Sequence, residues 1–468
     1  MANEHVDWKR IDFSEIFPWT ILFSGFRHAR DPKKILLGAL GALFMSLGWY
    51  VIGSASTARP PILPEAIGAN AGETEKKDYQ RSLDLYRADE QKYRLLSESR
   101  RLPWNNGGSL PEGVYVSAMD AERGWTNFGI KVPASLFLVF EPIRTLLVPI
   151  QLTFVSKNST LIGIALLAWM LAVWSLFGAA LCRISAVQVA RNSNVGLIES
   201  LKFAGTRYFS FFSSPVLPFV GIIGIVIFAG IGALFLHIPV LNAAVGAFWI
   251  LPLLAGFVIV TALLGLALGW PLMFAAIGAE ATESFDALSR AFSYVLGRPW
   301  SYLFYGVIAL LYGGMVMVFT TTFAYAMVDL SQYIVSWGYG DSTLLYSLAP
   351  EAPGWQQQFG PASIPDAPVS SPSGWQYLTA VMVSFWTHVL FMGIVGLTYS
   401  YFWTQVTAIY FLLRQDVDET EIEEVYLEEE DEEPFPTATP TVSPPKPTVA
   451  GPTSPGPISA LPIIEPPK

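Results

Sequence analysis

Residues 244–270 read AVGAFWILPLLAGFVIVTALLGLALGW, 27 positions without one Asp, Glu, Lys or Arg. A hydrocarbon core about 30 Å thick is crossed by about 20 helical residues, so this stretch is long enough to span a bilayer. Four more stretches are of the same kind: 160–182, 215–237, 301–327 and 376–400. Residues 35–54 make six. From Asn158 onward every charged residue lies between or after these stretches. That is what a bilayer demands, since a charge at its centre costs about 2.5–3.5 kcal/mol.

Composition agrees. Of 468 residues, 52% are hydrophobic and 14% charged, with a mean hydropathy of +0.43. A water-soluble domain carries about a quarter of its residues charged. The sequence therefore predicts an all-α integral membrane protein with six transmembrane helices. The net charge of −10 is uneven. Residues 415–468 hold 13 of the 38 acids and two of the 28 bases, so the other 414 residues sum to +1. No basic patch points to nucleic acid as a partner.

Lys and Arg in the short loops set the expected orientation. Residues 1–34, an amphipathic N-terminal segment, carry Lys9, Arg10, Arg27, Arg30, Lys33 and Lys34. The 183–214 loop carries Arg183, Arg191, Lys202 and Arg207; the 271–300 loop carries Arg290 and Arg298. The alternate loops, 238–243 and 328–375, carry none. This asymmetry predicts a multi-pass protein of a bacterial cytoplasmic (inner) membrane with both termini cytoplasmic. The first apolar run, about 20 residues from near Ile35, is too long for a signal-peptide core and reads as an anchor.

Residues 55–157 read as an extracytoplasmic insertion. A charged helix around 73–98 carries Tyr79, Leu83, Tyr86 and Tyr93 at heptad-like spacing, a stripe expected to pack on its own domain or on the 133–157 segment, or else to self-associate. Then 133–157 (PASLFLVFEPIRTLLVPIQLTFVSK) is apolar enough to be a seventh span, but Glu141, Pro142, Arg144 and Pro149 interrupt it. It is expected to be interfacial or re-entrant. Residues 158–414 then form a five-helix bundle with a long extracytoplasmic loop at 328–375. Past Tyr399 the last helix turns mixed in character and is expected to leave the bilayer. Residues 415–468 read as an acidic, proline-rich tail, disordered by composition. Val417, Ile422, Val425 and Leu427 alternate there with carboxylates, the pattern of a docking segment for a protein partner.

The clearest internal feature is a repeated elbow. Residues 198–211 (IESLKFAGTRYFSF) and 285–302 (FDALSRAFSYVLGRPWSY) each begin with an acid two residues before a leucine. Each ends in Arg, two residues, Ser and an aromatic. Phe285, Leu288, Phe292 and Val295 make one apolar stripe, so each copy is expected to be an interfacial helix on the cytoplasmic side. Arg207, Arg290, Arg298 and Trp300 are the expected elbow or lipid-headgroup contacts, since Arg reaches phosphate and Trp anchors at the interface.

Residues 278–306, GAEATESFDALSRAFSYVLGRPWSYLFYG, resemble the acid, Ala-Leu, Arg and Gly-x-x-Trp elbow in the membrane domain of some bacterial glycerophosphodiester phosphodiesterases. The same elbow occurs in several uncharacterised multi-pass families. The resemblance covers about 35 residues, or 60 with the weaker copy. It implies an architecture rather than that activity, because in those enzymes the chemistry belongs to a separate soluble barrel domain.

Chemistry-bearing motifs are otherwise absent from the sequence. There is no P-loop, GxSxG, HExxH or dinucleotide fingerprint. His5, His28, His237 and His388 lie on different elements, and Cys182 is the single thiol, so no cofactor or metal is expected. His388, inside the sixth span, reads as a packing histidine. The expected function is therefore non-enzymatic: interaction, assembly or envelope organisation, with membrane lipids and a protein partner met through the acidic tail or the extracytoplasmic domain. The alternative is a transporter or lipid-handling protein using the groove between the two elbow units.

Overall fold

The computed structural model describes residues 17–56, 60–64, 72–100, 134–155, 159–234, 237, 246–339 and 374–427. Every regular element among them is helical. After a 3₁₀ turn (Pro18–Thr20) come α1 (Ile21–Ala29), α2 (Pro32–Ser54) and α3 (Glu73–Ser99). A 3₁₀ segment (Ala134–Phe140) leads into α4 (Glu141–Val155) and α5 (Thr160–Arg191). The first elbow is α6 (Leu197–Thr206) with α7 (Tyr208–Ser213), followed by α8 (Leu217–Leu234). The second half contains α9 (Ile250–Glu280), the elbow helix α10 (Ser284–Gly297), α11 (Pro299–Tyr339) and α12 (Gly374–Asp418).

Among the described residues seven helices are long and apolar enough to cross a membrane: six within α2, α5, α8, α9, α11 and α12, and a seventh, Ser135–Val155, in the segment the sequence reads as interfacial or re-entrant. The described residues are those of an all-helical multi-pass membrane protein. The helix beginning at Pro299 runs on to Tyr339, well into the expected 328–375 loop; residues 340–373 and 428–468 lie outside the described residues.

The centre of the bundle is the second half of α12. The sequence predicts that this helix leaves the bilayer near Tyr399, but Tyr399, Ser400, Tyr401, Trp403, Thr404, Gln405 and Thr407 are all buried. The hydroxyls of Ser400, Tyr401, Thr404 and Thr407 and the amide nitrogen of Gln405 donate to helix backbone. Thr404 and Thr407 donate to the carbonyls four residues back, at 2.6 and 2.8 Å. Ser400 donates to the Ala29 carbonyl and Gln405 to that of Leu22, so α1 is strapped onto α12. A mixed sequence thus belongs to a buried helix, because a buried hydroxyl costs little once it is hydrogen-bonded.

Alpha-2 lies against α12 at backbone distance. A Cβ on Gly396 would sit 2.2 Å from the Ile35 carbonyl oxygen, and one on Gly38 would sit 2.4 Å from that of Gly396. Small residues at such crossings are what lets apolar helices associate where no hydrophobic drive exists between them. An aromatic column fills the interior: Trp174 stacks on Tyr399 at 4.3 Å, and Trp403 lies 5.0 Å from Phe274 and 5.8 Å from Trp270. In contrast, Pro218 is the one buried residue of α8, and the first half of α9 is largely exposed.

Candidate functional site

Three long helices, α5, α9 and α12, end on the same face as that on which α2 begins. Each stops at a residue in the left-handed region: Asn192 (φ 51°), Ala281 (φ 56°) and Glu419 (φ 55°). Bases gather there, and the centre of their network is Glu280. Its carboxylate accepts from Arg290 at 2.6 Å, from Arg414 at 3.1 Å and from the Tyr410 hydroxyl at 2.6 Å. Arg414 is 3% exposed and also donates to the carbonyls of Glu421 and Glu424, at 2.8 and 2.7 Å.

That last pair of bonds turns the chain back after α12. Tyr426 donates its N–H to the Ala279 carbonyl at 2.9 Å, while Arg183 donates to the Tyr426 carbonyl at 2.7 Å. The Arg183 guanidinium lies over the Phe203 ring, 4.5 Å from its centroid. Asp418 accepts from Tyr294, and Asp416 from Tyr305 at 2.9 Å. Burial and the neighbouring Asp418 carboxylate push the Tyr294 hydroxyl above its ordinary range. Residues 415–427, read from composition as the start of a disordered tail, are therefore folded onto the bundle. Val425 is buried, and Val417 and Ile422 pack against the core, so these apolar residues meet the chain itself.

The expected elbow residues divide into two groups. Arg207 donates to the carbonyl of Ala281, tying the first elbow to the end of α9. Arg290 bridges Glu280 and Asp286. Arg298 and Trp300 are exposed at the start of α11, Trp300 to 81%. The structure does not bring the four together; two close the interior network and two face outward.

Midway along the bundle lies a second polar feature. Pro142 and Thr145 of α4 share an aromatic-lined cavity with Trp174, Trp270, Phe274, Tyr399 and Trp403. Among the described residues, Tyr399 Oη and Trp403 Nε1 have no hydrogen-bond partner. Next to it Arg144 grips Glu141 through two bonds of 2.9 and 3.2 Å. The preceding 3₁₀ segment reaches α11 at two successive glycines. A Cβ on Gly313 would meet Val139 at 2.8 Å, and one on Gly314 would meet Leu136 at 2.9 Å, so the segment crosses α11 there. Hydropathy alone could not have found this cavity, because its walls come from α4, α5, α9 and α12. The Glu141–Arg144 spacing of three residues was the one legible hint of the pair.

His388 is half-buried on α12 and His237 is exposed. Among the described residues no three His, Cys, Asp or Glu side chains gather as a metal site. No protein-family model, curated protein or solved structure matches this chain. Its class therefore rests on the fold alone.

Proposed function

We propose that this is a non-enzymatic protein of a bacterial cytoplasmic membrane, acting in interaction, assembly or envelope organisation by holding out an acidic segment to a protein partner. The basic face is cytoplasmic, in keeping with the positive-inside rule. The chain crosses six times and 134–155 is re-entrant. The start of α4 lies beside Trp174, halfway along α5. The paired elbows are a scaffold of the kind the phosphodiesterase membrane domains suggest.

The observation that carries the reading is the pinned root of the acidic segment. Arg183 and Arg414 hold 421–426 against α9, and six consecutive acids, Glu428 to Glu433, follow at once. A tail without function needs no such anchorage. The test compares the full chain with a chain ending at Leu427 in mild detergent, identifying co-purified proteins by mass spectrometry. A partner held only by the full chain and displaced by a synthetic 428–468 peptide supports the proposal. Partners held equally by both chains oppose it.

One observation favours a second reading, transport or lipid handling: an ion pair and two unpaired donors at half depth beside a cavity. Charges within the membrane region are costly and accompany substrate or ion paths. In a C182S background, cysteines placed at 145, 170 and 399 should then react with a water-soluble thiol reagent. Silence at all three removes this reading.

A further inference from the structure

At one corner of the basic face, the α1–α2 turn and the α5–α6 turn enclose a pocket of about 390 Å³. Arg27, His28, Arg30, Asp31, Gln188, Asn192 and Asn194 line it, with Pro32. Its floor is fixed. Lys34, fully buried, donates to Gln188 Oε1 at 3.2 Å, while Gln188 Nε2 donates to Asp31 Oδ2 at 2.8 Å. Asp31 Oδ1 meanwhile caps α2 by accepting from the N–H of Lys33 at 3.0 Å. The one carboxylate in the pocket is therefore turned into the frame by both oxygens.

The walls are different. Arg27 and Arg30 are exposed, and among the described residues neither has an acid within ion-pair distance. Across residues 27–34 and 188–196 the chain carries Arg27, Arg30, Lys33, Lys34 and Arg191 against Asp31 alone. Burial first, and then the charges of Lys34 and Arg27, push His28 down to about 4. The pocket also has a defined depth. It sits where α2 begins, and that helix at 23 residues rises about 35 Å, so its first turn stands at the level of headgroups.

We propose that this pocket binds the phosphate of an anionic phospholipid headgroup, with Arg27 and Arg30 as its direct ligands. Arginine forks match phosphate oxygens in pairs, and the partial positive charge at the start of α2 adds to them. The neutral His28 and the amides of Asn192 and Asn194 supply donors for headgroup hydroxyls. The site shares no residue with the Glu280 network and holds whether or not the tail has a partner.

Native mass spectrometry of the full chain, titrated with short-chain phosphatidylglycerol, phosphatidylcholine or inorganic phosphate, tests it. Phosphatidylglycerol should bind saturably at one copy, ahead of phosphatidylcholine. R27A/R30A should weaken it about tenfold, the loss expected for one charge-assisted contact or more. K202A removes an exposed base from the same face and should leave binding unchanged. The substituted residues are all exposed, so unfolding midpoints should match the parent and R27K/R30K should retain part of the affinity. An equal loss in K202A, or equal binding of the two lipids, would overturn the site. Inorganic phosphate binding as tightly as the lipid would overturn its assignment to a headgroup.

Discussion

Glu280 holds two arginines and a tyrosine, and Arg414 behind it is almost wholly enclosed. Removing one partner of a buried pair leaves the other charge uncompensated, which costs about 3–5 kcal/mol. Glu280→Gln should therefore fall near the lower end, about 3 kcal/mol, because two carbonyls still hold Arg414. Thermal unfolding in detergent reads the loss, and proteolysis should begin within 415–427 before the helices open. His28 gives a pH signature at the same scale. Its folded value of about 4 lies below the ordinary 6.5, so between these the unfolded chain binds a proton that the folded chain refuses. Stability should fall as pH drops through that window and be restored above it. The difference in unfolding midpoint between pH 7 and about pH 4.5 should shrink in His28→Gln; an unchanged difference counts against the assignment.

Among elements, the α2–α12 contact is the most exacting, since backbone meets backbone. Gly396→Val should cost about 1–3 kcal/mol through overpacking, more if the helices part. Gly393→Val, three residues away where nothing lies within 4 Å, should leave the unfolding midpoint unchanged. The long apolar helices were legible because the bilayer forbids charge across a fixed length, a constraint written residue by residue. The second half of α12 was not. Its Ser, Thr and Gln look like a helix leaving the membrane, and only its neighbours' carbonyls make them interior residues. Arg183 was legible only in part. A charge near a span end reads as a marker of the membrane surface, and only burial against 421–426 shows that Arg183, with Arg414, is also a clasp.

At the scale of the molecule, α5 and α9 each run to a left-handed residue, Asn192 or Ala281, and then to a shorter helix that ends at an arginine, Arg207 or Arg298, before the next helix. The copies differ where the helices around them differ, for Arg207 turns inward to α9 while Arg298 faces out. Sequence could register the repeat but not that divergence. The arm made by α8 and the first half of α9 adds something else. Gly221, Gly224, Gly230, Gly232 and Gly256 have open space where a side chain would stand. Among the described residues little besides its own two helices packs on this arm, and the hydrocarbon of a bilayer around it would ask for no particular shape. Any lipid-soluble side chain should serve there, whereas at Gly38 a single methyl would collide. Two standards of fitness thus act along one chain, solubility in oil at its margin and steric complementarity at its centre, and sequence drift should follow that divide.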